Sequence, residues 1–198
     1  MNQMEKYWDD LLKIRTTGRD DSKANQFNYP YEPTPYSVLQ RLSNSGYINK
    51  KNSLVDYGCG KGRVDFYLAY QVKCKTTGIE YDERIYQAAV DNKNNAVSGR
   101  RTEFHMGRAE KYEVGKESDR FYFFNPFSVE ILQQVLSRIE ESYYENPRQM
   151  LLFFYYPSDE YISCLMTREM LGFYDEISCM DIFPGENKRE KILIFELG

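Results

Sequence analysis

The sequence predicts an α/β fold: a doubly wound, mostly parallel seven-stranded sheet with helices on both faces, a C-terminal antiparallel hairpin and a short N-terminal helical extension. Three observations predict it. After Gly46, short apolar runs alternate with longer amphipathic stretches, the pattern of strands joined by crossover helices. The first of these runs lies in LVDYGCGKGR (Leu54–Arg63), which ends a strand on an acid and turns over three glycines in five positions. The last two runs, YDEISCMDIF and REKILIFELG, are joined by the turn PGEN and read as an antiparallel pair.

Taken in order, residues 1–17 predict an amphipathic helix, with Met4, Tyr7, Trp8, Leu11, Leu12 and Ile14 forming an apolar stripe. In QFNYPYEPTPY, Pro30, Pro33 and Pro35 hold the backbone extended. A helix then starts near Pro35, with Thr34 as its N-cap, and stops at Gly46. SLVDYG is a buried strand, RVDFYLAYQV a helix entered through glycines, and CKTTGIEY a second strand. DERIYQAAVDNKNNA is a helix whose leading acids suit its positive N-terminal dipole. RTEFHMG and SDRFYFFNPF are the third and fourth strands, SVEILQQVLSRIEESYYEN a long helix and QMLLFFYYP a fifth strand. A short helix near DEYISCLMTREMLG leads into the closing pair. His105, mid-strand, reads as a packed core histidine, and ESYYEN and FFYYP as core and strand rings.

Composition narrows the function. At 198 residues, with 41% hydrophobic and 28% charged, the chain suits one globular unit. A net charge of −4 gives no general attraction to a phosphate backbone, so duplex DNA is not an expected partner. Four cysteines (Cys59, Cys74, Cys164, Cys179) without metal-ligand spacing, and one histidine, predict reduced thiols and no zinc site. The charged N-terminus shows no signal peptide and no run approaches a membrane span, so a cytoplasmic location is expected. The 18 Tyr and 12 Phe suit a chain that buries amphipathic rings around a pocket.

The glycine turn carries the chemistry. In an open parallel sheet, ligands bind at the carboxyl ends of the strands where the strand order reverses. Gly58 and Gly60 let a ligand touch the main chain, and Gly62 lets the next helix pack on the strand. Dinucleotide folds space their glycines G-x-G-x-x-G; here the spacing is G-x-G-x-G, preceded by Asp56. A carboxylate there repels a phosphate and suits an ammonium or sulfonium. Glu80 ends the second strand, where a carboxylate can accept both hydroxyls of a ribose.

These residues resemble the class I (seven-strand, Rossmann-like) S-adenosylmethionine-dependent methyltransferases. VDYGCGKG is similar to that family's first motif and GIEYDE to its second-strand acid, and the likeness runs over about residues 50–198. The resemblance implies S-adenosyl-L-methionine as cofactor, held by Asp56, Gly58, Gly60, Gly62, Glu80 and Tyr81. It implies two parts, a helical and proline-rich cap segment (1–48) and a methyltransferase domain (49–198), together one compact unit. Where the family often has G-D-A, this chain has Gly107-Arg108-Ala109-Glu110. The Ala109 amide meets the adenine ring, with either Glu110 replacing the missing acid or packing holding the base, and Arg108 is expected in solvent. Asn125-Pro126-Phe127, at the end of the fourth strand, resembles the (Asn/Asp)-Pro-Pro-aromatic motif of amino-group methyltransferases, minus one proline. It implies an amine aimed at the methyl group for in-line displacement; an Asn-Pro turn without that role is the other reading.

AAVDNKNNAVSG is similar to a stretch in ribosomal RNA and ribosomal-protein methyltransferases. YEPTPY resembles the entry of some seven-strand protein-lysine methyltransferases, which closes over the methionine end of the cofactor and points to Tyr31, Thr34 and Tyr36. The expected activity is methyl transfer to an amino nitrogen, with the acceptor a protein, an RNA base or a small amine, protein ahead of RNA. Lys61, Arg63, Lys73 and Lys75 form the basic cluster near the cofactor face that RNA would use. The alternatives are a catalytically inactive cofactor-binding module and, behind it, an NAD-dependent oxidoreductase. Oligomeric state is not indicated.

Overall fold

A computed structural model describes residues 3–20, 27, 29 and 31–198. Its sheet contains β1 (Ser53–Tyr57), β2 (Lys75–Glu80), β3 (Thr102–Met106), β4 (Arg120–Phe123), β5 (Met150–Tyr155), β6 (Leu171–Ser178) and β7 (Lys191–Leu197). The helices are α1 (Gln3–Leu12), α2 (Tyr36–Asn44), α3 (Arg63–Gln71), α4 (Glu83–Asn95), α5 (Val129–Glu145) and α6 (Asp159–Met166). The strand order is β3-β2-β1-β4-β5-β7-β6. β1 to β5 pair in parallel and β7 runs antiparallel between β5 and β6. Tyr57 pairs with Ile79 on one side and Phe123 on the other, so β1, β2 and β4 end level where the order reverses.

Alternation along the strands builds two cores. Leu54, Tyr122, Phe153, Tyr155 and Ile194 face α2 and α3, while Val55, Tyr57, Phe121, Phe154 and Phe195 face α5 and α6. All six β5 residues are buried, as expected for a central strand covered on both faces. Asp82 caps α4 by accepting from the Arg84 amide, and Ser158 caps α6 by accepting from the Tyr161 amide. Among the described residues, no helix is long and apolar enough to cross a membrane.

Long-range contacts redraw the N-terminal segment. Helix α1 ends at Leu12, not residue 17, because Asp9 pulls the chain back. The Asp9 carboxylate accepts from the Thr16 amide (2.8 Å) and hydroxyl (2.7 Å) and from the Tyr36 hydroxyl (2.6 Å). Arg63, buried at 3% exposure, completes this cluster. Its guanidinium bonds Thr16 Oγ1 (2.7 Å), the Thr34 carbonyl (3.2 Å) and Glu5, lies 3.8 Å from Asp9, and stacks on Tyr36. Arg63 is therefore spent internally and gives nothing to a basic RNA surface. Lys73 and Lys75 also leave that expected cluster, since they lie at the entry end of β2, about 16 Å of strand from Glu80.

Other local expectations are corrected too. Pro35, not Thr34, precedes α2 at the cap position, and the Thr34 hydroxyl instead pairs with Tyr122 Oη at 3.1 Å. His105 is exposed, because β3 is the edge strand, and its ring leans on Tyr112. Tyr144 is also exposed, on the solvent side of α5. The closing hairpin is wider than PGEN: pairing stops at Ser178↔Lys191, and residues 179–190 carry a turn of 3-10 helix, Met180–Ile182. Pro30 and the first two residues of the expected helix lie outside the described residues.

Two substitutions test this packing. Gly62 has φ +82°, and a Cβ there would sit 2.6 Å from Phe104 Cζ and 2.8 Å from Phe66 Cε2. Gly62→Ala is expected to cost about 2–3 kcal/mol, a fall of roughly 5–10 °C in melting temperature. An unchanged melting temperature would refute the close packing. Arg63→Met leaves Asp9 and Glu5 without their cation and should cost about 3–5 kcal/mol in urea unfolding. A loss below about 1 kcal/mol would show that the cluster does not hold the segment.

Candidate cofactor and methyl-transfer site

The level ends of β1, β2 and β4 open on a cavity of about 1090 Å³. Of the residues expected in the site, Asp56, Gly58, Glu80, Tyr81, Ala109, Thr34, Pro126 and Phe127 line it. Gly60 and Gly62 do not line it: the Tyr31 ring, itself part of the wall, covers Gly60 where a ligand was expected to touch the main chain, and Phe104 and Phe66 cover Gly62, while Asn125 and Tyr36 turn elsewhere.

Each glycine of the turn meets a different neighbour. Gly58 (φ +74°) leaves 2.4 Å between an added Cβ and Pro126 Cβ, and Gly60 (φ +56°) leaves 2.1 Å to Tyr31 Cε2. Tyr31 is held there by its hydroxyl, which donates to the Thr16 carbonyl at 2.5 Å, and Lys61 lies over its ring. The Gly58 and Cys59 amides both donate to the Ile79 carbonyl, tying the turn to β2.

Glu80 is clamped by main-chain donors. Its Oε1 accepts from the Tyr81 and Asp82 amides, both at 2.8 Å, and its Oε2 from the Gly60 amide at 3.1 Å. A carboxylate offers about four acceptor positions, so one remains on Oε2. Burial raises the Glu80 pKa while these amides pull it back. Asp56, at 3% exposure, keeps its Oδ2 without a hydrogen-bond partner among the described residues, and burial pushes its carboxyl up to about 7. The orphaned buried Asp56 carboxylate oxygen fits a ligand with a cationic end, and the residual Glu80 acceptor fits a hydroxyl.

On the far wall, Arg108 is 73% exposed in its side chain and 3.7 Å from Glu110, whose side chain is 13% exposed. Ala109 opens a turn of 3-10 helix packed near α5. The acid nearest this wall is thus Glu110, with Arg108 outside it.

The fourth-strand motif adopts an unusual backbone. Asn125 has φ +39° and Tyr156, at the end of β5, has φ +51°. Asn125 Nδ2 donates to the Tyr156 carbonyl at 2.5 Å, while its Oδ1 is buried without a partner among the described residues. Both residues line a second cavity of about 310 Å³ that shares Tyr29, Glu32 and Phe124 with the first. Arg189 stacks on the Tyr156 ring at 4.2 Å and donates to its carbonyl at 3.2 Å. The Phe127 ring is buried against Phe123, so of the phenylalanines beside this motif Phe124 fronts both cavities, together with Tyr29. Main-chain bonds from the Tyr29 amide to the Pro126 carbonyl and from the Ser128 amide to the Phe27 carbonyl strap the N-terminal segment over this motif.

Sequence reasoning missed the Arg63 cluster and Tyr156. A signal for the first exists: Glu5 and Asp9, four residues apart on one helix face, with an arginine directly after the glycine turn. Nothing local marked Tyr156.

No protein-family model matches the chain. Over 74 residues, 36% of this chain, it is 38% identical to a protein-lysine N-methyltransferase from Saccharolobus islandicus (strain REY15A), the match spanning 45% of that relative's length. An RNA methyltransferase from Salinibacter ruber, in complex with S-adenosyl-L-homocysteine, superposes with a TM-score of 0.54 at 18% identity, over 84% of this chain and 92% of the other. A TehB-like methyltransferase from Corynebacterium glutamicum gives 0.58 at 14%, over 81% and 88%. The mitomycin 7-O-methyltransferase MmcR gives 0.61 at 11%, over 82% and 53%. The chain has the seven-strand, Rossmann-like fold of the class I S-adenosylmethionine-dependent methyltransferases.

Proposed function

We propose that this chain is an S-adenosylmethionine-dependent methyltransferase acting on an amino nitrogen, with a protein amine as acceptor. The observation that carries the cofactor is the orphaned Asp56 oxygen at the glycine turn, together with the main-chain-clamped Glu80. Asp56 would receive the cationic methionine end, Glu80 a ribose hydroxyl, and the wall at Ala109 and Glu110 the base. When bound, the cofactor supplies an electrophilic methyl group on a sulfonium.

The chain's own part is to position the acceptor. Asn125 Oδ1, buried and unsatisfied, is an acceptor for one N–H of an incoming amine. Its amide nitrogen is fixed on the Tyr156 carbonyl, so the oxygen cannot swing away without breaking that bond. Holding the amine costs the chemical step its rotational freedom in advance, and partial exclusion of water strengthens the polar contacts.

Charge favours a protein amine over RNA. The cavity wall carries Asp20, Glu32, Asp82, Glu110 and Glu130 besides Asp56 and Glu80, against Arg108, Lys111, Arg138 and the internally spent Arg63. An acid-rich mouth attracts a lysine side chain and repels phosphates. The partial match to a protein-lysine N-methyltransferase points the same way.

Calorimetry with S-adenosylhomocysteine tests the cofactor: binding is expected, weakened at least about tenfold in Glu80→Ala, since tenfold is only about 1.4 kcal/mol. No heat at millimolar ligand would end the reading. Methyl transfer from labelled cofactor into cell extract tests the rest. Label should survive nuclease, disappear with protease, and fall at least about tenfold in Asn125→Ala, the scale of a lost positioning contact. Label lost to nuclease would make RNA the acceptor, and equal labelling by Asn125→Ala would remove that residue from the mechanism.

A further inference from the structure

Behind the glycine turn lie two carboxyl groups that face no cation among the described residues. Asp56 ends β1 and Asp65 sits in the first turn of α3, at 3% and 0% exposure. Among the described residues, Asp56 Oδ2 and both Asp65 carboxyl oxygens have no hydrogen-bond donor, the Thr76 hydroxyl bonding the Asp65 main-chain carbonyl at 3.5 Å instead. Around the pair stand Cys59 from the turn, Cys74 before β2, Thr76 and Glu80 on β2, and Tyr122 on β4. None of these is positive, and Arg63, two residues from Asp65, spends its donors on Glu5, Thr16, Thr17 and Thr34.

Two carboxylates side by side in such a place would each cost several kcal/mol, so a proton is retained between them. Asp65 is the group to keep it. It does not line the cavity, whereas Asp56 does, and the two carboxyl groups are neighbours.

Given the cofactor reading above, we propose that Asp65 is a positioning residue for cofactor binding: a protonated carboxylic acid that donates to Asp56, fixes it in place and keeps it able to ionise when the ammonium of the cofactor arrives. The electrostatics agree. Burial drives Asp65 well above the carboxylate range, with Asp56 adding to it. Burial also drives Asp56 up to about 7, with Glu80 adding a smaller push, and the bond from Asp65 draws it back down.

The proton balance sets the sign. Below about pH 7 Asp56 carries its own proton, which must leave to solvent when the ammonium takes its place. Affinity therefore rises with pH through that region, about tenfold per unit, and levels off above it, where no proton is released. The pair is a proton-linked gate on the cationic end of the ligand.

The test is titration calorimetry of S-adenosylhomocysteine on the full chain from about pH 5.5 to 8, in two buffers of different ionisation heat. Wild type should release close to one proton at the acid end and none at the basic end, with Kd following. Asp65→Asn keeps an N–H donor and should keep the midpoint within about half a unit, whereas Asp65→Leu should raise it by about one unit or more and weaken binding at pH 7 about tenfold. Asp56→Asn should flatten the profile. Binding with a flat pH profile in wild type, or Asp65→Leu titrating like wild type, overturns the proposal and leaves the cofactor reading standing. No binding at any pH overturns both. If the Asp65 variants do not fold, the carboxylic-acid band in the infrared spectrum of wild type at about pH 8 decides: a retained band supports a protonated Asp65, and its absence overturns the proposal.

Discussion

The closeness with which three separate elements approach one glycine turn sets the rest of the structure. Pro126 from the end of β4 rests on Gly58, the Tyr31 ring from the N-terminal segment on Gly60, and Phe104 from β3 against Gly62. Each contact is nearer than a Cβ permits, and each glycine has a positive φ that side chains rarely adopt. The turn thus fixes where the fourth-strand motif, the cap segment and the edge strand stand relative to Asp56. Interiors packed this closely have discrete arrangements, so the geometry of the cavity follows from the turn and not from the surrounding loops.

The N-terminal segment is part of that geometry because of a buried charge cluster. An arginine at 3% exposure is costly unless its hydrogen bonds are met, and here Glu5, Thr16, Thr17 and Thr34 meet them, with the Asp9 carboxylate 3.8 Å away. Such clusters add little net stability over an apolar alternative, but they allow few arrangements of the groups involved. Asp9 alone collects Thr16, Thr17 and Tyr36. Thr16 in turn holds the Tyr31 hydroxyl, so the ring on Gly60 is anchored through two steps to Arg63. Cap and turn are one mechanical unit.

The strands and helices were legible because their periodicity is local: LVDY, GIE and MLLFFY are buried runs between glycine, acid and asparagine punctuation, and the caps at Asp82 and Ser158 are written beside their helices. The glycine spacing with Asp56 and Glu80 was legible for the same reason. What could not be read depended on distant partners. Thr34 looks like a helix cap until Tyr122 claims its hydroxyl, and Arg63 looks like surface charge until α1 folds over it. His105 looks like core until the strand order puts β3 at the edge. Tyr156 carries no signal at all, because its left-handed backbone is imposed by the Asn125 amide and the Arg189 guanidinium closing on its carbonyl.

The same interactions bear on which cofactor the cavity suits. A dinucleotide brings a pyrophosphate to the glycine turn and needs a helix N-terminus or a cation to receive it. Here the helix after the turn begins with Arg63, whose charge is consumed by Glu5 and Asp9, and carries Asp65 in its first turn. Asp56 and Glu80 add two more acids on the strand side. A phosphate would meet carboxyl groups where it needs donors, while a ligand with an ammonium and a sulfonium meets what it needs. The electrostatic character of the turn, set by where Arg63 spends its hydrogen bonds, separates the two Rossmann-like chemistries more sharply than the glycine spacing does.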